Sequence, residues 1–139
     1  MRRDDADSLS NGLRTDNLWP MHDPRIDKLA HVLVRYSVAV RRGNLVRISG
    51  STTSLPLIRA LYRHVLQAGG HPLLRISDDQ CTEAFYELAK ARQLAYVSPL
   101  ARREVDAIDC AIGIWAEENT KSMTRVDPAR QAAVAQARR

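Results

Sequence analysis

The chain has little of what small stapled or metal-built domains depend on. It carries two cysteines, Cys81 and Cys110, far apart and in no Cys-x-x-Cys pair. That excludes a zinc ribbon and a disulfide framework, and it suits reduced thiols in a cytoplasmic protein. The four histidines (His22, His31, His64 and His71) include no pair at helical i, i+4 spacing and no HExxH segment, so the common helical zinc motifs are absent. No apolar run approaches the length of a membrane span. Two arginines open the chain but no apolar stretch follows them, so the N-terminus is not a signal peptide. With six glycines in all, there is no Walker loop and no multi-glycine dinucleotide fingerprint. Nor can a Ser-His-Asp arrangement be assembled with any specificity.

What is present is ordinary globular material. Of the 139 residues, 45% are apolar and 27% charged, which suits one domain with a real hydrophobic core. The net charge is +5, and all but three of the 21 basic residues are arginine. Those arginines recur singly or in pairs (Arg35, Arg47, Arg59, Arg63, Arg75, Arg102, Arg125). Dispersed charge of this kind marks solvated helix and strand faces, so neither a nucleic acid nor a membrane is an expected partner.

The informative stretch is Asn44 to Ile76. Leu45, Val46 and Ile48 form a short apolar run that ends in Gly50 and a group of small hydroxyl residues. Helical spacing then takes over at Leu57, Ile58, Leu61, Val65 and Leu66, Gly69-Gly70 closes it, and a second apolar run spans Pro72 to Ile76. Strand, helix and strand in this order predict a βαβ unit with parallel strands and a right-handed crossover. Upstream, residues 1 to 20 keep no period and read as a disordered leader; a start at Met21 would leave the same domain, residues 21 to 139. Asp23-Pro24 is a helix start, and Ile26, Leu29, Ala30, Leu33, Tyr36, Ser37 and Val40 predict one amphipathic helix ending at Arg41-Arg42-Gly43.

Downstream, Ser77-Asp78-Asp79 reads as loop. A short helix opens at Thr82 with Ala84, Phe85, Leu88 and Ala89 as its apolar face. Ser98-Pro99 starts another, with Leu100 and Val105 facing inward, and the two helices form the next crossover. Ala107 to Ile114 is the third strand, with Ile108, Cys110, Ile112 and Ile114 on one face and small residues on the other. Asp127-Pro128 opens a last, alanine-rich helix. The expected class is α/β: a short, mostly parallel sheet of three strands with flanking helices and open edges. Open edges and a final helix with little apolar surface suggest the first part of something longer.

Ligands of open α/β sheets bind beyond the C-terminal strand ends. Three loops qualify: Gly50 to Thr53, Ser77 to Asp79 and Glu117 to Thr120. The first could cradle an anion at a helix N-terminus, but capping by Ser54 or a neighbouring hydroxyl explains it as well. Asp78-Asp79 and Glu117-Glu118 read as capping and solubility, and Cys110 as core. The residues alone offer no catalytic constellation and no metal ligand set.

Taken together, DPRIDKLAHVLVRYSVAVRRGNLVRISGS, ALYRHVLQAGGHPLLRIS, EAFYELAKARQLAYVSPLARREVDAID, IGIWAEENT and DPARQAA resemble the N-terminal domain of the thermophilic metallo-aminopeptidase family, the aminopeptidase T and aminopeptidase S type. The likeness runs from Asp23 to the C-terminus. It implies a hydrolase that removes N-terminal residues from peptides with a pair of divalent ions, of the zinc, cobalt or manganese type, held in a larger C-terminal domain. None of the family's ligands can be carried onto a position here, so the resemblance implies no catalytic and no metal residue in this chain and an inert isolated domain. It also implies that the strand-exit loops wall a cleft, with Ser51, Thr52, Glu118 and Asn119 as the lining candidates. The alternative reading is a small α/β module that binds a nucleotide or anion, or that pairs its open edge with a partner or with itself.

Overall fold

A computed structural model describes residues 23–115 and 126–138; the leader of residues 1 to 20 lies outside them. Strand β1 (Leu45–Ser51) is the centre of a three-stranded parallel sheet of order β2-β1-β3, with β2 at His71–Ser77 and β3 at Cys110–Gly113. Leu45 stands opposite His71 and Ser51 opposite Ser77, while Val46 faces Cys110 and Ser49 faces Gly113. The α/β class, the three parallel strands and the open sheet are as the sequence predicts. Strand β3 is shorter than expected, because Ala107 is the last residue of the preceding helix. Asp109 begins the pairing instead: its amide donates to the Leu45 carbonyl, and its carboxylate accepts from the Leu45 amide at 2.7 Å.

The main core lies on one face of this sheet. Val46 and Ile48 of β1 and Ile112 of β3 pack with Ile58, Leu61 and Val65 of helix α2 (Leu55–Gln67) and with Ala30 of helix α1 (Pro24–Val32). Full burial of a side chain such as Ile48 contributes about 2 kcal/mol. Helix α1 opens as expected, Asp23 accepting from the Arg25 amide at 2.8 Å. It is joined to α2 by one carboxylate: Asp27 Oδ1 accepts from Arg63 Nη2 at 2.7 Å and lies 2.9 Å from His64 Nε2.

The expected single helix through Val40 is not what forms. From Leu33 to Ser37 the chain widens into a π turn, in which the Val38 amide donates to the Leu33 carbonyl, and Ala39 then takes φ +51°. The Val40 amide donates to the Val34 carbonyl, six residues back. Widening shifts the inward face, so Val34 is buried while Tyr36, expected on the stripe, is 74% exposed. The left-handed residue that ends the segment is thus Ala39, whereas Gly43 (φ +86°) serves the turn into β1.

The β2–β3 crossover contains three helices rather than two: α3 (Asp79–Leu88), α4 (Ala91–Leu94) and α5 (Pro99–Ala107). Helix α3 starts earlier than Thr82, because Asp78 accepts from the Cys81 amide at 3.0 Å and caps it. A second small core joins Ala89 and Leu94 to Val134 of the last helix, α6 (Pro128–Ala137), and Arg130 Nε donates to the Tyr86 carbonyl at 2.6 Å. Helix α5 opens at Ser98-Pro99 as expected, but Leu100 and Val105 point outward and no residue of the helix is buried. Its tie to the sheet is Glu104, which pairs with Arg75 of β2 and lies 3.9 Å from Arg47 of β1. By strand alternation those arginines occupy the face opposite Val46 and Ile48.

Two outcomes follow. Ala39→Gly relieves a left-handed alanine, so chemical denaturation should give a gain of about 0.5–1 kcal/mol, the steric cost outweighing the added unfolded-state entropy. The Arg75 hydrogen bond holds the Glu104 carboxyl below its ordinary value. A depressed carboxylate stabilises the fold above its unfolded pKa and stops doing so as the pH falls through its folded one. The unfolding midpoint should therefore exceed that of Glu104→Gln at pH 7, and the two should converge in acid below about pH 4.

Candidate functional site

Strand order fixes where a site can lie. From β1 the chain crosses to β2 through α2, packed on the Val46 side; from β2 it returns to β3 through α3–α5, and Glu104 of α5 meets the Arg47 side. The strand order reverses between β1 and β3, and open sheets of this kind bind their ligands beyond the C-terminal strand ends at such a point. Of the three loops considered from sequence, this selects the one after β1 and the one after β3. The Ser77–Asp79 loop belongs to the outer strand, and Asp78 there is a helix cap.

The two selected exits touch. A Cβ on Gly50 would meet Ile114 Cβ at 3.3 Å and Ile58 Cδ1 at 3.2 Å, so glycine lets the backbone after β3 close against β1. The Ile114 amide donates to the Ser49 carbonyl at 2.8 Å, extending the join past the last paired residues. Ser77 Oγ donates to the Gly50 carbonyl at 3.3 Å and ties in the third exit. Of the lining candidates, Ser51 is half-buried and Thr52 exposed at this rim. Glu118 and Asn119 lie outside the described residues, as does the Glu117–Thr120 loop.

Helix α2 is not capped by a hydroxyl as expected. A 3₁₀ turn at Thr52–Ser54 leads into it, and the Leu55 amide donates to the Thr52 carbonyl. Neither Ser51 nor Ser54 makes a side-chain cap, and Ser51 Oγ and Thr53 Oγ1 share a hydrogen bond of 2.6 Å. Ser54 is buried, and its hydroxyl has no hydrogen-bond partner among the described residues. The loop is a closed turn of small residues at the C-terminal end of β1.

Elsewhere, Cys110 packs against the main core, where burial first and the Asp109 charge second push its thiol up. His31 and His64 sit on helix faces as expected, with ring centroids 5.5 Å apart. Among the described residues no group of three His, Cys, Asp or Glu side chains is placed to hold a metal ion. Sequence reasoning missed two features. Arg47 and Arg75 converge on Glu104, which alternation within β1 and β2 could have signalled. Trp115, just past β3, is 92% exposed. A Cβ on Gly113 would lie 3.8 Å from its Nε1 and 3.7 Å from Ser49 Oγ.

The chain resembles a solved structure, wild-type AmpT from Thermus thermophilus, with a TM-score of 0.71 and 16% sequence identity. That match covers 82% of this chain and 30% of the other, so the chain spans about a third of the length of that relative. At this identity the likeness establishes a shared fold. No curated protein sequence matches the chain. The family described as thermophilic metalloprotease (M29) matches residues 22–139, nearly the whole chain. The chain therefore belongs to the M29 thermophilic metalloprotease family.

Proposed function

We propose that this chain is the N-terminal domain of a metal-dependent aminopeptidase, an enzyme that removes N-terminal residues from peptides. The observation that carries the reading is the family match over residues 22–139, on the fold that AmpT shares. Residues 21 to 139 form the domain and residues 1 to 20 a leader. The β1 and β3 exits, through Ser51, Thr52, Glu118 and Asn119, line the cleft into which peptides pass. A pair of divalent ions of the zinc, cobalt or manganese type would supply the Lewis acid and the activated water of such hydrolysis. The described residues do not fit that pair, since none of their acidic, histidine or cysteine side chains form a ligand group. The ions belong to a larger second domain of such an enzyme, and the domain of residues 21 to 139 by itself is inert. Two unpaired cysteines, as reduced thiols, support a cytoplasmic setting.

Purified chain incubated with aminoacyl substrates and zinc, cobalt or manganese should show turnover no greater than a metal-free control; metal-dependent turnover would overturn the assignment of an inert domain. One observation favours a second reading as an anion-binding module: the buried Ser54 hydroxyl at the start of α2 makes no hydrogen bond among the described residues. Phosphate and nucleotides should leave the melting temperature unchanged if the loop only shapes the rim. A saturable rise, the mark of a ligand that binds only the folded state, would favour the module instead.

A further inference from the structure

We propose that the outer face of the α1–α2 layer binds single-stranded nucleic acid. The proposal is independent of the aminopeptidase reading and goes beyond it. Along the sequence the arginines are scattered, and no nucleic acid is expected of them. The fold sorts them. Residues 23–77 carry nine basic side chains and two acidic ones, whereas residues 78–115 carry four basic and seven acidic. A chain merely rich in arginine would spread its charge evenly. Here the excess falls on the half that supplies α1 and α2.

Helical periodicity narrows the place. In α1, Ala30 turns inward, and Arg25 and Lys28 lie exposed on the other side, with Arg35 exposed just beyond the helix. In α2, Ile58, Leu61 and Val65 turn inward, which places Arg59 and Arg63 on the outer side. The two helices pack side by side, Arg63 donating to Asp27 across the seam at 2.7 Å, so their outward faces join in one basic surface. Asp27 is the single acidic residue of the two helices, and the seam uses it.

Rings stand among these charges. Tyr36 is 74% exposed, with its ring centroid 6.1 Å from that of the exposed His31. Guanidinium forks match phosphate oxygens, and exposed rings are platforms on which unpaired bases stack. A duplex hides its base faces, so the pairing of cations with open rings fits a single strand. The neighbouring Leu29 and Val32 are more than half covered, too shallow for the apolar face with which a helix enters a lipid surface.

Fluorescence anisotropy of a labelled single strand of about 20 nucleotides, mixed in sequence, tests this on the whole chain. Binding should saturate at about 50 mM salt and weaken with a log–log salt slope of about −3, as for about four phosphates neutralised on a single strand. Arg25→Glu with Lys28→Glu should weaken binding at least tenfold without lowering the melting temperature. Tyr36→Ala should weaken it at least threefold with the salt slope unchanged, the mark of stacking rather than charge. Arg102→Glu with Arg103→Glu on α5 removes the same charge elsewhere and should change the affinity less than twofold. No saturable binding at that salt overturns the proposal. So does an equal loss from the α1 and α5 pairs, which would reduce the effect to net charge. Tighter binding to phosphatidylserine vesicles or to polyglutamate than to the oligonucleotide also overturns it, making the occupant a lipid surface or an acidic chain.

Discussion

Val46 and Ile48 belong to the strand that has a hydrogen-bonded neighbour on each side, and both are completely buried. The rest of the fold depends on that arrangement. A parallel strand in this position must be covered on both faces. Helix α2 and the inner side of α1 cover one face with aliphatic side chains. The other face is treated differently: Arg47 and Arg75 stand there, and the crossover presents a single glutamate to them. One side of the sheet is a dry core and the other a charged, thinly covered surface. The difference comes from residue choice at alternate positions along the same two strands.

Much of the fold was legible because its signals are local. Asp23-Pro24, Ser98-Pro99 and Asp127-Pro128 each open a helix in which the capping oxygen accepts from an amide two residues on. The βαβ unit could be read from spacing alone. Misreadings arose where a distant contact overrode a local pattern. Tyr36 fits a 3.6-residue stripe, yet the π turn from Leu33 to Ser37 moves Val34 into its place, and periodicity carries no sign of such a turn. Leu100 and Val105 were expected inside because leucine and valine usually are, but the helix that holds them is positioned by its charge. The site was less legible than the fold. Which loops share a crevice follows from strand order, and strand order is decided by pairings that a single sequence does not display.

The rim shows how little of a site has to be polar. Gly50 matters there for what it lacks, since a methyl group would press on Ile114 and Ile58. Ser51 and Thr53 satisfy each other, and Ser77 is tied to the Gly50 carbonyl. The turn uses part of its polar capacity internally, while the buried Ser54 hydroxyl keeps no partner among the described residues.

The ladder also has an order of assembly written into it. The partner strands β1 and β2 are joined by one helix and a tight turn, so their pairing closes a short loop. The contact between Leu45 and Asp109 closes one of 64 residues. Loop-closure entropy and the slowness of non-local pairing place the first event ahead of the second. On that ground β3 is the costlier strand to bring to β1. Until it arrives, the Ile112 position in the core is open and one edge of β1 is unpaired. A chain in which β3 is not yet paired would carry a two-stranded sheet with an exposed edge, the kind of surface on which parallel sheets misassemble.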